Sequence, residues 1–452
     1  MKIKDVRWAV VALTAILIMF LSACSAGAEE PLPDSGVTTL IYANLREDGP
    51  DREMIDRFNR THTDIQIEVR DYVTENGRSG KDRLFAEMLA GQVPDIFDIG
   101  RSDSSSFATV LPYRVLAKKG YLEDLWPYIE NDPALGRGGV LEAPLKAAEV
   151  DGGLYVVFSR VSINTLVGAE QIVGNRYSWT LEEMKETYAA MPEGSTILPF
   201  YYRRKNVLQT FVPMLLDSYV DWEAGQCSFD SEGFRAVLTF LNSFPEEVDI
   251  LEDMDILAES AKRLANGQQM LEGAENVSIP RCVQFMDTYF GGRGSFIGFP
   301  VEDGSVGSSF FPGGQRLAIS STCKNKEAAW KFVRQLLLPK ESQQTIGSLF
   351  SLPVNRADYN RLVRYSRSKD ISMMFYRFGK NAPPIEIHPV TDEELERYED
   401  FINSIDKIEL CDETIYGIVK EVSEAYFAGD KSLDEAVQMI QNRVTLYVNE
   451  NL

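Results

Sequence analysis

The chain has 452 residues, of which 44% are hydrophobic and 25% charged, and its formal net charge is -22 at pH 7. That composition predicts a globular protein of two or three domains. The acidic balance argues against nucleic-acid binding, because no basic run with interleaved aromatics reverses it. The two histidines, His62 and His388, have no cysteine or other plausible ligand nearby in the sequence. We therefore expect no metal site, no histidine-dependent catalytic triad and no cofactor.

Residues 1–23 predict an export signal. Three basic residues precede an almost wholly apolar run, which ends at Leu21-Ser22-Ala23-Cys24 and is too short to be a comfortable membrane span. These four residues resemble the bacterial lipobox, in which the cysteine is alkylated with diacylglycerol and the peptide is cut before it. The resemblance implies a mature chain that begins at lipidated Cys24 on the extracytoplasmic face of the cell membrane. A secretory signal with a chance cysteine is the alternative.

The remaining four cysteines lie far apart without a CxxC pair, at positions Cys227, Cys282, Cys323 and Cys411. Export permits disulfides, and four cysteines allow three pairings. A chain of this length can form a core without any of them, so their redox state stays open.

Downstream of a small, acidic spacer at 24–36, strands alternate with helices. Strand patterns occur at 38–42, 65–69 and 94–100, and helical patterns at 54–58 and 84–89. This alternation predicts an α/β domain with a largely parallel sheet. Ligands bind such sheets beyond the strand ends, so the loops that follow the first and third strands are candidate binding loops.

The rest of the chain continues the mixture. A turn at 151–153 leads into a buried strand, and capping boxes at Thr180 to Glu183 and Ser432 to Glu435 open two helices. A strand is predicted at 316–320 and an amphipathic helix at 325–338. We assign Trp126, Trp179 and Trp330 to the core, since they lie in structural motifs.

An ordered set of short motifs covers most of the mature chain. These are Arg57-Phe58-Asn59-Arg60, Leu89-Ala90-Gly91-Gln92-Val93-Pro94-Asp95-Ile96, Leu122-Glu123-Asp124-Leu125, Gly153-Leu154-Tyr155, Trp179-Thr180-Leu181-Glu182-Glu183, Leu317-Ala318-Ile319-Ser320, Lys326-Glu327-Ala328-Ala329-Trp330-Lys331-Phe332 and Leu352-Pro353-Val354-Asn355. Each motif alone is weak, but in this order they resemble the extracellular solute-binding proteins of ABC importers, the class that includes maltose- and oligosaccharide-binding proteins.

The resemblance implies an α/β fold of the periplasmic-binding-protein type, a two-lobe clamp with hinge crossovers. The chain would cross between lobes near 158–162, 311–315 and 352–355. Lobe one would then comprise 37–158 plus 313–352, and lobe two 159–312 plus 353–452. The implied partners are a small-molecule carbohydrate and the permease subunits of an ABC importer, with the protein itself a monomer.

The resemblance also implies ligand contacts from the loops after two strands and from aromatic loops of lobe two. Those positions hold Asn44, Arg46, Asp48, Arg101, Asp103, Tyr201 and Tyr202, with Trp222 and Tyr289 as further candidates. A sugar-binding site needs aromatic rings that pack against the C–H faces of the sugar, together with carboxylates, amides and guanidinium groups that hydrogen-bond its hydroxyls. These residues supply both kinds of group. Turn chemistry, surface ion pairing or core packing would explain the same residues without a ligand.

Two further interpretations stay open. A polysaccharide-active enzyme would need two carboxylates facing one bond, which adjacent pairs such as Glu182-Glu183 do not indicate. The same fold could instead bind a peptide, a polyamine or an anion. Family members that bind maltodextrins carry tryptophan after Pro-Asp-Ile, whereas this chain has Phe97-Asp98-Ile99, so the ligand class is not fixed by the resemblance.

Overall fold

A computed structural model describes residues 36–46, 48–73, 80–99, 108–109, 113–222, 224–250, 254–275, 277–340, 351–368, 388–409 and 411–451. The predicted lipid site Cys24 and the candidate ligand residues Arg101 and Asp103 lie outside these ranges. Within them, no helix has both the length and the apolar character that a membrane crossing requires.

The described chain contains sixteen α-helices. In order they are α1 Arg52–Thr61, α2 Lys81–Leu89, α3 Tyr113–Lys118, α4 Trp126–Asn131, α5 Glu142–Lys146, α6 Glu170–Val173, α7 Leu181–Ala189, α8 Arg204–Leu215, α9 Glu232–Asn242, α10 Ile256–Ala265, α11 Ile279–Phe290, α12 Lys326–Val333, α13 Arg356–Ser366, α14 Asp392–Ser404, α15 Glu413–Phe427 and α16 Leu433–Asn451. Three short 3-10 helices cover Arg137–Gly139, Leu216–Tyr219 and Arg334–Leu336.

Twelve strands are described. They are β1 Thr38–Asn44, β2 Ile65–Asp71, β3 Ile96–Asp98, β4 Ala108–Thr109, β5 Val157–Ala169, β6 Val220–Asp221, β7 Gln226–Cys227, β8 Leu271–Glu275, β9 Gly294–Ser295, β10 Ser309–Ile319, β11 Leu352–Pro353 and β12 Cys411–Asp412. Eight of them form one sheet, whose main path runs β11-β5-β10-β3-β1-β2 while β8 and β9 pair with β5. The parallel β2-β1-β3 unit confirms the predicted α/β alternation at the start of the chain.

Strand β5 joins the two ends of this sheet. Its first residues pair with the end of β10, its middle pairs with β11, and residues 164–169 pair with β8 and β9. All three segments predicted to cross between lobes therefore lie side by side, since Val161 faces both Pro312 of β10 and Leu352 of β11. Movement of one end of β5 relative to the other would act on all three segments together.

The buried apolar side chains form two clusters. The first surrounds β1 and β3 through residues such as Tyr42 and Phe97, and it continues into α11 and α14. The second packs α8, α9, α15 and α16 around Trp179 and Phe299. Trp126, Trp179 and Trp330 are 3%, 2% and 5% exposed, which confirms their assignment to the core.

Several local predictions hold, and two need correction. Both capping boxes form, with Thr180 and Glu183 opening α7 and Ser432 and Glu435 opening α16. The helix predicted over 325–338 instead ends as α12 at Val333 and tightens into a 3-10 turn, as helix ends commonly do. The strand predicted at 316–320 is the end of a longer strand, β10, which begins at Ser309. Proline and glycine within 312–314 hide its first half from the strand pattern.

Candidate functional site

Three strand ends meet at one edge of the parallel unit. Asn44, the last residue of β1, faces Asp98, the last residue of β3, and Asp98 in turn faces Leu317 of β10. The β10 register shifts between Gly313 and Arg316, and Gly314 has a φ of +77°, a conformation that favours glycine. Such bulges re-aim neighbouring side chains, and here the bulge immediately precedes a buried arginine.

Asp98 is the fully buried centre of this region. One carboxylate oxygen accepts a 2.7 Å bond from the Tyr42 hydroxyl, and the other accepts the backbone N–H of Arg316 at 3.3 Å. Gln315 donates its side-chain amide to the Tyr42 oxygen at 2.9 Å. Burial, followed by the charge of Asp98, raises the pKa of Tyr42, so its hydroxyl stays protonated and available as a donor.

Arg46 connects Asp98 to the loop after β1. Its guanidinium donates two bonds to Asp48, at 3.0 and 2.7 Å, and its Nε lies 3.9 Å from an Asp98 oxygen. Burial lowers the pKa of Arg46, but the bond to Asp48 and the charge of Asp98 outweigh it and raise that pKa overall. In the part of the chain that the structure describes, the buried Nη1 atom of Arg46 has no hydrogen-bond partner. Asn44 holds the loop in place by bonding Asp71 at 2.6 Å and the backbone of Arg46.

Arg316 is the second guanidinium and is only 2% exposed. Its Nη2 donates to the Pro312 carbonyl at 3.0 Å, and its Cζ lies 5.2 Å from the centre of the Phe311 ring. Its Nε and Nη1 atoms are buried and have no hydrogen-bond partner among the described residues. Burial lowers the pKa of Arg316 to about 10, against the opposing attraction of Asp98. A buried charge with two unused donors is costly, and such a group calls for a specific explanation.

Glu409 supplies a second buried carboxylate from a segment close to the C-terminal helices. Its segment is held beside β10, where the Glu409 backbone donates to the Phe310 carbonyl at 2.7 Å. Its carboxylate accepts long bonds from Asn164 at 3.4 Å and Ser309 at 3.5 Å. The negative charge of Glu409 also opposes the fall in the pKa of Arg316.

We call Tyr42, Arg46, Asp98, Arg316 and Glu409 the central polar cluster. It combines two cations, two anions and a hydroxyl where the ends of β1 and β3 meet β10. Among the described residues, three guanidinium nitrogen atoms have no acceptor, namely Nη1 of Arg46 and Nε and Nη1 of Arg316, so the cluster can donate hydrogen bonds to an oxygen-rich molecule without first breaking internal bonds.

The structure gathers some predicted ligand residues here and places others elsewhere. Asn44, Arg46 and Asp48 lie together at the cluster, although the side chain of Asn44 hydrogen-bonds within the protein to Asp71 and to the backbone of Arg46. Tyr201 and Tyr202 are half-buried and pack edge to face with ring centres 5.3 Å apart. Burial, with a smaller contribution from Glu272, raises the pKa of Tyr201 to about 12.

The remaining two candidates pack against other aromatic rings. Trp222 lies 6.4 Å from the ring of Tyr447, at the margin of the second core cluster. Tyr289 is 6% exposed, and its ring centre lies 4.4 Å from that of Phe285. These contacts do not bring either residue to the central polar cluster.

Sequence reasoning missed Asp98, Arg316 and Glu409 as site residues. Asp98 and Arg316 each carry a signal, because a charged residue stands directly beside an apolar strand run, Ile96-Phe97 in one case and Leu317-Ala318-Ile319 in the other. A charge beside such a run is either paired or functional. Glu409 carries the same kind of signal, because it stands between Ile408 and Leu410-Cys411, and a long-range bridge between Phe310 and Ile408 brings it to the other two residues.

The fold and the cluster together define a mixed α/β protein of the periplasmic-binding-protein class. The family model described as bacterial extracellular solute-binding protein matches residues 53–363, and the chain belongs to that family. It is therefore a solute-binding protein of ABC transport, and the family consists of non-catalytic transport receptors. No curated protein matches the sequence.

Solved structures are similar at low identity. The sugar-binding protein MalE from Xanthomonas citri is 17% identical over 91% of this chain and 98% of its own, with a TM-score of 0.47. An ABC substrate-binding protein from Listeria monocytogenes in complex with cycloalternan is 16% identical over 91% of this chain and 99% of its own, with a TM-score of 0.47. An extracellular solute-binding protein of family 1 from Alicyclobacillus acidocaldarius is 14% identical over 91% of this chain and 98% of its own, with a TM-score of 0.45.

Proposed function

We propose that this solute-binding protein is a lipid-anchored receptor that captures a carbohydrate, with an oligosaccharide as the expected form, and delivers it to an ABC permease. The observation that carries the ligand class is the central polar cluster, where unpartnered guanidinium donors stand beside buried carboxylates. A sugar hydroxyl both donates and accepts, so one sugar ring can use Arg316 and Asp98 at once.

The charge balance of the cluster supports a neutral polyol. Arg46 and Arg316 contribute two positive charges, and the buried Asp98 and Glu409 contribute two negative ones, while Asp48, which also pairs with Arg46, is 47% exposed and is screened by solvent. A ligand without net charge leaves this balance intact, whereas a polyamine or a dianion would add an uncompensated charge in a buried setting. The Phe311 ring beside Arg316 adds an apolar surface of the kind that sugar C–H faces prefer.

The proposed lobes are 37–158 plus 313–352 and 159–312 plus 353–452. The adjacency of the three crossing segments supports a hinge there, because a bend in β5 carries its hydrogen-bonded neighbours with it. A ligand that contacts both lobes would stabilise only the closed arrangement, and the permease would then recognise that shape.

A ligand screen by thermal unfolding tests the carbohydrate proposal. The soluble chain from about residue 30 is unfolded in the presence of mono- and oligosaccharides, with peptides, polyamines and small anions as controls. A ligand that binds only the native state stabilises it by about 2.7 kcal/mol at a hundredfold excess over its dissociation constant. We expect a saccharide to raise the unfolding midpoint and to be recovered chemically unchanged.

The control ligands give that screen its opposing outcome. A clear midpoint shift with a peptide, polyamine or anion, and none with any saccharide, would contradict the carbohydrate proposal while leaving the receptor function in place. Acidic sugars belong among the saccharides, because their carboxylates are also acceptors for the free donors of Arg316 and Arg46.

Replacing Cys24 with serine tests the anchor. Serine lacks the thiol that would be alkylated, so we expect Cys24→Ser to move the protein from the membrane fraction to the soluble extracytoplasmic fraction. Cys227→Ser is the matched control, since that thiol lies in the folded chain. Membrane retention of Cys24→Ser equal to that of the unmodified chain would contradict the lipobox.

A further inference from the structure

Three metal-ligating side chains from separate segments converge away from the central polar cluster. Asp287 lies in the last turn of α11, Glu394 lies in the first turn of α14, and His388 lies just before α14. The His388 Nε2 atom is 2.8 Å from an Asp287 oxygen and 3.4 Å from a Glu394 oxygen. No local sequence pattern predicts a ligand set here, because Asp287 is about one hundred residues distant from His388.

A backbone hydrogen bond orients the ring of His388. Nδ1 lies 2.9 Å from the Pro389 carbonyl, which can only accept, so Nδ1 must carry a proton. Nε2 is then the ring atom that faces the oxygens of Asp287 and Glu394. A proton shared between Nε2 and a carboxylate would satisfy this contact, and a metal ion bound to Nε2 and to both carboxylates would satisfy it as well.

Among the described residues, the groups around the site leave the ligand atoms available to a cation. One oxygen of Glu394 accepts both the backbone N–H and the hydroxyl of Thr391 at 2.8 Å, and the other oxygen faces His388. The nearest arginine on the same helix is Arg397, whose guanidinium bonds the Gly294 carbonyl and lies 3.8 Å from Glu170. His388 is thus the cation that the structure pairs with both Asp287 and Glu394.

We propose that Asp287, His388 and Glu394 form a binding site for a divalent transition-metal cation, with zinc as the reference ion. The three ligand atoms lie within 4.8 Å of one another, a spread that a metal with bonds of about 2.0–2.2 Å can close by small side-chain movements. One imidazole and two carboxylates suit zinc, with water in the remaining position.

Metal-binding histidines usually donate a hydrogen bond from the ring nitrogen that does not bind the metal, and Nδ1 of His388 makes such a bond to the Pro389 carbonyl. Binding would tie α11 to α14 and would displace the Nε2 proton, so a metal and a proton compete for the site. The site lies outside the central polar cluster, and the proposal does not depend on the proposed carbohydrate ligand. It replaces the expectation from sequence that His388 has no ligand partners.

The test follows the His388 ring directly by NMR, which is practical because the protein has only two histidines. At pH 7.5 we expect one equivalent of zinc to shift the imidazole signals of His388 and to release protons, while the signals of His62 stay unchanged. His388→Asn should abolish this binding, and Asp287→Asn should weaken it at least tenfold.

His62→Asn is the matched control. The His62 ring stacks on Phe58 with centres 3.9 Å apart and also sets Nδ1 near a backbone carbonyl, so its replacement should leave zinc binding intact. A zinc ion taken up by the free thiol of Cys227 would not move the His388 signals. His388 signals that respond to pH but not to excess zinc, or unchanged zinc affinity in Asp287→Asn, would overturn the proposal and leave a protonated histidine alone between the carboxylates.

Discussion

Replacing Arg316 with methionine should stabilise the ligand-free protein and weaken ligand binding at the same time. The pKa of Arg316 falls from 12.5 to about 10, and each pKa unit corresponds to about 1.4 kcal/mol, so the buried charge costs about 3 kcal/mol relative to water. Methionine fills a similar volume beside Phe311 and forfeits one hydrogen bond to Pro312. We expect the free energy of unfolding to rise by about 1–3 kcal/mol in urea titrations.

Binding should respond in the opposite direction. A hydrogen bond to a charged donor contributes about 1.5–3 kcal/mol, so losing the free Arg316 donors should raise the dissociation constant of the ligand found in the screen by about tenfold or more. Isothermal titration of the variant with that ligand measures the change. A stabilised protein that binds less well is the expected signature of a residue kept for function at a cost in stability.

Arg334→Met is the matched control. Arg334 is a paired guanidinium, with Nε 2.6 Å from one Asp132 oxygen and Nη2 donating to the other at 2.7 Å. Its removal leaves a carboxylate that is only 3% exposed, so this variant should lose stability and keep its ligand affinity. If Arg316→Met instead destabilises the protein and binds ligand as the unmodified chain does, the central polar cluster is not the ligand site.

The early α/β unit could be predicted from sequence because its signals are local. Alternating strand patterns, helix faces and the Thr180 capping box depend on residues within a few positions of one another, and all formed as expected. The ordered motifs indicate the fold family, and the three segments that we predict to cross between lobes are neighbours in the sheet.

The site was harder to predict because long-range pairing builds it. Asp98 and Arg316 meet through the antiparallel pairing of β3 and β10, more than two hundred residues apart, and a bulge re-aims the arginine. Glu409 joins them through a single bridge. The turn after β1 is visible in the sequence, which predicts Arg46 and Asp48 as site residues. The apolar neighbours of Asp98 and Arg316 mark each charge as paired or functional but do not show that the two meet.

A second buried acid, Glu272, lies away from the cluster in β8 and is 9% exposed. Burial raises its pKa to about 7, against hydrogen bonds from Ser260 at 3.0 Å and Gln269 at 3.1 Å. As pH rises, the unfolded chain, in which the Glu272 pKa is near 4.5, therefore loses this proton at a lower pH than the folded state does. The resulting loss of stability is absent below about pH 4.5, grows as pH rises from there to about 7, and is complete above pH 7.

Glu272→Gln should remove that pH dependence, since an amide does not ionise. Relative to the unmodified chain, the variant should therefore gain stability as pH rises. Its free energy of unfolding minus that of the unmodified chain should increase by about 2 kcal/mol between pH 5.5 and pH 8, as measured by urea titration at both values. Glu183→Gln is the control. The backbone hydrogen bond of the capping box lowers the pKa of Glu183, so this carboxylate is ionised at both pH values. The effect of Glu183→Gln on stability should therefore be the same at pH 5.5 and pH 8. A Glu272→Gln effect that is equal at pH 5.5 and pH 8 would mean that Glu272 does not titrate in this interval. The buried carboxylate would then have to be held in one protonation state by its bonds to Ser260 and Gln269.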